Sequence, residues 1–224
     1  MNAEDVARYL QGNSEFFEQY AELLAQIYVP HPHGGRAIAL ADRQLLTLRE
    51  KNKALEAKLA ELIRFGEEND AISEKVHRLG LVLLAAPALD AFLSGLYYNL
   101  REDFAVPNAA LRLWGGARID VIGERAEFAS VAAETKDMAA SLSHPYCGPG
   151  GNAEAVRWFG EAADHVRSVA FMPLREPGAA GGEGACIGVL ALGSEDAMRF
   201  YPEMGTLYLK RLGEMVGAGL ARFL

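Results

Sequence analysis

No stretch of this chain approaches the run of about eighteen apolar residues that a membrane helix needs. A membrane span is therefore excluded, and no membrane partner is expected. Cysteine is nearly absent, with Cys147 and Cys186 the two present. That is too few for a structural zinc set, which takes about four clustered ligands, and no metal site is expected. In a reducing compartment such thiols stay free. Positive charge is in deficit. Lys and Arg total 22 against 30 Asp and Glu, giving a net charge of −8. An acidic surface repels phosphate backbones, which argues against nucleic acid as a partner. The opening Met1-Asn2-Ala3-Glu4-Asp5 is acidic, where a secretory signal starts basic and turns apolar. The expected location is the cytoplasm.

What remains is ordinary globular material, 50% hydrophobic and 23% charged, enough for one or two domains. Residues 3 to 28 read as two short helices. The first carries Val6, Tyr9 and Leu10 and stops at Gly12-Asn13. Ser14 is placed to cap the second, which carries Phe16, Phe17, Tyr20, Leu23, Leu24 and Ile27. Steps of three and four put most of these on one stripe that must bury against something. Val29-Pro30-His31-Pro32-His33-Gly34-Gly35 then breaks the helix. His31 and His33 lack further ligands nearby for a metal.

From Ala37 to Leu84 the spacing predicts one long helix, of about 48 residues and roughly 70 Å. Leu45, Leu48, Asn52, Leu55, Leu59 and Leu62 follow at 3-4-3-4-3, the seam of a coiled coil. An Asn on such a seam costs stability but fixes register between like helices, so a homodimer is expected through these residues. The seam then stumbles. Leu62, Phe65, Asn69, Ile72, Val76, Leu79 and Leu83 fit it only if one step of three is repeated, a stammer beside Gly66. The other reading is an amphipathic helix packed on its own chain. The stretch is locally basic, with Arg36, Arg43, Arg49, Lys51, Lys53, Lys58 and Arg64 against Asp42, Glu50, Glu56 and Glu61. Asp42 and Glu50 meet Leu46 and Ala54 four residues on, so few ion pairs are expected along it. The plain reading is a solvated face, with an acidic partner or nucleic acid as the lesser one.

Pro87 ends or kinks the long helix. Phe92, Leu93, Leu96, Tyr97 and Leu100 have helical spacing within 89–104. The pattern then turns to strands. Leu111 and Leu113 alternate with Arg112 and Trp114, Gly115-Gly116 reads as a hairpin turn, and Ile119 and Val121 point inward from a second strand. A helix is expected over 127–142, a loop over His144 to Gly151, and a short helix over 153–164. Ser168 to Leu174 and Cys186 to Leu192 are apolar strands joined by a flexible connection over 178–184. A final helix spans Pro202 to Leu224. The expected division is a helical segment 1–35, a coiled-coil helix 36–86 and an α/β domain 87–224.

The order helix, two strands, helices, two apolar strands, helix resembles GAF or PAS-type domains, and Ser168 to Leu174 with Ile187 to Ser194 looks like their paired central strands. Gly188 there suits a close approach. The whole chain resembles the bacterial domain-of-unknown-function family 484. Four segments carry this: Val6 to Phe17 (VARYLQGNSEFF); Pro30-His31 with Arg43-Gln44 and Leu48-Arg49; Pro145-Tyr146-Cys147-Gly148; and Gly193-Ser194 through Arg199-Phe200 to Met204-Gly205-Thr206. The resemblance implies an α+β chain, a long coiled-coil helix before a GAF-like antiparallel sheet flanked by helices, with no established activity. Members are similar in often being encoded beside a tyrosine recombinase. Gly148 stands where bilin-anchoring GAF domains have a His after the Cys. The Asn-Lys-Phe-Asp-Glu set of cyclic-nucleotide GAF domains is not found.

The candidate chemistry is sparse. Cys147 is a loop thiol whose reactivity needs a cation, His144 or Arg157, or a helix N-terminus to lower its pKa; otherwise it is buried and inert. Cys147 with His144 still lacks an orienting group for nucleophilic catalysis. Gly148 to Asn152 is glycine-rich but has no following Lys-Ser or Lys-Thr, so it is no nucleotide phosphate loop. Alternation suggests a pocket of Arg112, Trp114, Tyr146, Cys147, Trp158 and Phe171, aromatic walls with one cation, suited to a small anionic or aromatic ligand. The alternative is that they fill space between sheet and helices. The expectation is a non-enzymatic, cofactor-free sensory or interaction module whose output is an unidentified partner protein. A structural adaptor without ligand and a redox switch at Cys147 stand as alternatives.

Overall fold

The computed structural model describes residues 2–29, 38–114, 125–150, 153–178 and 183–224. The expected hairpin turn at Gly115-Gly116, the strand carrying Ile119 and Val121, both His31 and His33, and the centre of the 178–184 connection lie outside these. The chain forms two compact units, Met1–Glu68 and Asn69–Leu224.

The first unit opens with α1 (Ala3–Gly12), α2 (Glu15–Gln19) and α3 (Ala21–Gln26), then pairs β1 (Tyr28–Val29) with β2 (Ile38–Ala39). The expected second helix is thus two, parted at Tyr20, whose backbone leaves helical geometry. Ser14 does not cap. Its own backbone is helical, whereas a capping hydroxyl needs an extended residue behind it. Asn2 does cap α1, exchanging hydrogen bonds with Asp5 in a capping box. The long helix α4 runs Leu40–Ala85, close to its expected span, and stops just before Pro87. Just past its middle Arg64 pairs with Glu68 at 2.7 Å. The seam leucines Leu45, Leu48, Leu55, Leu59 and Leu62 are 47–65% exposed in the single chain.

The second unit, Asn69–Leu224, takes in the last turns of α4, which the expected division grouped with the coiled-coil helix 36–86. The reason is packing. Tyr208 donates to the Asn69 carbonyl at 3.0 Å, and Leu79 and Leu83 are core residues. The stripe after the stammer is thus half-buried at Ile72 and Val76 and fully buried at Leu79 and Leu83 in its own chain. Next come α5 (Leu89–Glu102) and β3 (Asn108–Leu113), a 3-10 turn at Ala126–Phe128, α6 (Ala133–Ser141) and β4 (Tyr146–Gly148). After α7 (Ala153–Arg157) and a 3-10 turn at Gly160–His165 follow β5 (Ser168–Pro177), β6 (Glu183–Ser194) and α8 (Leu207–Leu220). The four strands form an antiparallel sheet in the order β3-β6-β5-β4. This is the expected class: α+β, a long helix before an antiparallel sheet flanked by helices. Two expectations shift. The helix over 127–142 is a 3-10 turn and a shorter α6. The final helix starts at Leu207, after a turn over Pro202 to Met204.

Strand alternation divides the core in two. Ala170, Met172 and Leu174 of β5 join Leu111 and Leu113 of β3, Leu190 and Leu192 of β6, and Leu79, Phe92, Leu96, Leu212 and Val216 of the helices. Val169 and Phe171 point oppositely, with Val189, Ala191, Ala139 and Ala155. A bulge breaks the alternation at Ile187, where Leu174 faces Gly188 but Arg175 faces Cys186. The added residue turns Ile187 into the first layer and Cys186 toward the second. Gly188 has the close approach expected of it, since a Cβ there would lie 2.5 Å from the Arg112 carbonyl oxygen.

Arginines close the open ends of helices in this unit. Arg222 donates to the Leu83 and Leu84 carbonyls that end α4, at 2.9 and 3.4 Å. Arg175 donates to Ala140 and Leu142 at the end of α6, at 2.7 and 3.1 Å. Each cation meets carbonyls with no partner inside the helix, at the negative end of its dipole. Gly217 sets how closely α8 lies on β5. A Cβ there would sit 2.6 Å from the Arg175 carbonyl oxygen and 2.9 Å from its nitrogen, and backbone cannot move aside cheaply. Gly217→Ala is therefore expected to destabilise the protein by about 1–3 kcal/mol, as overpacking does. Gly66→Ala, with nothing within 4 Å, is expected to stabilise it by about 1 kcal/mol. Urea unfolding of both variants checks the opposite signs.

Candidate functional site

The residues the alternation singled out lie on β3, β4, β5 and the turn after α7. Arg112 and Trp114 leave β3 on the face away from Leu111 and Leu113, as expected. The Arg112 guanidinium lies 5.1 Å from the centre of the Trp158 ring. Its Nη1 donates to its neighbour's carbonyl, Leu111 O, at 2.9 Å. Trp114 continues β3 by donating its backbone N–H to Ile187 O, and its indole Nε1 donates to Cys186 O at 3.0 Å. The Lys136 ammonium sits 5.9 Å from the Trp114 ring. Two cations thus rest on two indoles, each attracted to an electron-rich face.

Carboxylates complete this end of the sheet. Glu154 on α7 accepts from the Ala132 N–H at 3.1 Å and from the Thr135 hydroxyl, which holds it at the start of α6. That is the positive end of the helix dipole. Tyr97 on α5 donates to Glu127 at 3.2 Å. Burial, then the Glu127 charge, push the Tyr97 phenol well above its ordinary range, so it stays a neutral donor. Burial lowers the Arg112 pKa, while Tyr97, Glu127 and Glu154 act the other way. Nothing in the hydrophobic periodicity points to Glu127, Lys136 or Glu154. Each reaches the site from a separate short helix or turn.

Of the other three expected residues, Phe171 shares the second core layer with Trp114 and Trp158, and Cys147 does not. Phe171 lies on β5, with β6 between it and β3, and stacks on Tyr146 at 5.9 Å with an interplanar angle of 15°. Tyr146 and Cys147 do not lie in a covering loop. They form β4, where Tyr146 pairs with Phe171 and Cys147 with Ala170. Pairing by twos sends Tyr146 to the Arg112 face and Cys147 to the opposite core layer. Cys147 therefore does not line the pocket it was assigned to. Its thiol is buried, and that burial raises its pKa to about 11. Neither His144 nor Arg157 draws it down. The Cys186 thiol is also raised, chiefly by burial. Elsewhere, Leu142, Pro145, Met172, Arg175, Leu209 and Lys210 line a groove of about 320 Å³ beside the far end of β5. No group of three metal-ligating side chains occurs among the described residues.

A raised pKa starves the thiolate on which alkylation depends. Moving it from 9.0 to about 11 cuts the thiolate fraction at pH 8 roughly a hundredfold. Mass-spectrometric alkylation at that pH is expected to modify Cys147 that much more slowly in the folded chain than in the urea-unfolded one. Equal rates contradict the buried placement.

A family model described as "Protein of unknown function, DUF484" matches residues 1–224. The uncharacterised protein YigA of Salmonella typhimurium is 24% identical over 225 residues, covering 98% of this chain and 91% of that protein. The YigA proteins of Shigella flexneri and Escherichia coli K12 are 27% and 26% identical over 223 residues, with the same coverage. Among solved structures, this chain is similar to the GAF domain of a protein described as a sensor histidine kinase from Pseudomonas syringae pv. tomato. The TM-score is 0.45 at 16% identity, over 71% of this chain and 91% of that one. The match along its full length makes this chain a member of the DUF484 family.

Proposed function

We propose that this chain is a non-catalytic, cytoplasmic sensory or interaction module that works as a homodimer. Its first unit is the pairing element, and its second unit is a GAF-like receptor for a small molecule or partner protein. One observation carries the pairing. In the first unit, none of the side chains whose burial is described is buried. Fourteen large hydrophobic residues there, from Val6 to Phe65, are exposed. Ordering a chain costs conformational entropy that buried apolar area must offset, and one copy buries too little. A second copy supplies the missing surface along Leu45, Leu48, Asn52, Leu55, Leu59 and Leu62. Asn52 then fixes the register, and Lys51 and Glu56 flank the seam at positions where coiled coils place interhelical ion pairs.

The receptor half rests on the second unit. Arg112 and Lys136 on their two indoles, with Glu127 and Glu154 close by, offer charge and aromatic surface at one end of the sheet. Such a setting suits a small anionic or aromatic ligand. The raised pKa of Cys147 favours this reading over a thiol switch. The stammer supplies a route between the halves, because an irregular seam holds two packings of similar energy.

Sedimentation equilibrium at micromolar concentration is expected to give the mass of two copies. Leu55→Glu with Leu59→Glu buries like charges in the seam and is expected to weaken association by roughly a hundredfold or more. A one-copy mass for the unaltered chain overturns the dimer. For the receptor half, a panel of small anionic and aromatic compounds is screened by melting temperature. A ligand at a hundred times its Kd adds about 2.7 kcal/mol, which Arg112→Ala removes. A panel without any shift overturns small-molecule sensing and leaves the adaptor reading.

A further inference from the structure

The first unit carries a second unpartnered apolar surface besides the leucine seam. Val6, Tyr9, Phe17 and Leu23 on α1–α3, with Tyr20 and Ile27 at the helix ends, are all exposed, Tyr20 by 54%. Phe16 stacks on Tyr20 and meets Phe17 edge-on, so the aromatic patch is pre-ordered. The pairing of β1 with β2 ties this segment to the start of α4, yet the single chain leaves the patch open.

Charge sorts the two surfaces. Residues 2–29 carry Glu4, Asp5, Glu15, Glu18 and Glu22 against Arg8, and the acids around the patch are exposed. Residues 42–64 carry six cations against four anions, with Lys51 and Lys58 exposed beside the seam and Lys53, Ala54 and Ala57 exposed on the outer face of the same helix. An acidic aromatic face thus meets a basic one with small residues, each lacking a cover within its own copy.

We infer that the N-terminal helices of each copy dock on the long helix of the other, acids against Lys51, Lys53 and Lys58, so that the dimer is closed by an exchanged helical arm. This rests on the two-copy reading above and adds the occupant of the aromatic patch. Such complementarity steers pairing and rejects like-charged partners, at a strength that salt screens.

The test uses the full chain. Equal amounts of unlabelled and nitrogen-15-labelled protein are unfolded together, refolded, and joined with a zero-length carboxyl-to-amine cross-linker. Mass spectrometry then reads peptides linking Glu15, Glu18 or Glu22 to Lys51, Lys53 or Lys58. The expected result is that about half of these pair a light with a heavy copy, as exchange in a symmetric dimer requires. Their yield is expected to fall in high salt. Same-isotope links alone, or no links, with a two-copy mass overturn the exchanged arm and leave the dimer standing. A one-copy mass overturns the dimer itself.

Discussion

One apolar stripe along α4 changes its surroundings part-way down the helix. Up to Leu62 its leucines are open in the single chain. From Asn69 onward the same helix meets its own chain: Tyr208 binds the Asn69 carbonyl, Leu79 and Leu83 enter the core, and Arg222 closes the last turn. The stammer and Gly66 stand between these regimes. A repeated step of three turns the stripe around the helix, and the hand-over from an external surface to the internal core falls there. On the two-copy reading proposed above, the irregularity follows from one helix serving two packing problems.

In the second unit, period-two alternation sorts the chemistry. Each strand sends one set of side chains to the layer of α5 and α8 and the other to the layer of α6 and α7. Arg112, Trp114 and Trp158 fall on the second side with Lys136 and Glu154, while Cys147 falls on the first with the aliphatic core. One residue of register separates an accessible thiol from an inert one. The Ile187 bulge adds a local exception that aims the Cys186 carbonyl at the Trp114 indole.

Much of this was legible in the residues. The long helix, the β3 alternation, the apolar β5 and β6, and the close approach at Gly188 follow from spacing and side-chain size. What escaped needed contacts distant in sequence. Tyr146–Gly148 is a three-residue strand beside Pro145 and Pro149, and only its pairing with β5 makes it one. Glu154 finds its role at the start of a helix some twenty residues earlier. Leu79 and Leu83 have the spacing of a seam, and spacing does not say whether the surface opposite belongs to another copy or to the same chain. The short breaks at Tyr20 and before Leu207 are likewise set by local backbone geometry that hydrophobic periodicity does not register.

Hydrogen–deuterium exchange along α4 over a dilution series tests the central claim most directly. If a second copy covers the stripe, amides around Leu45 to Leu62 lose protection as the protein is diluted, while those around Leu79 to Leu83 keep theirs at every concentration. Strong protection of Leu45 to Leu62 that persists unchanged at dilutions where the mass is that of one copy contradicts the account.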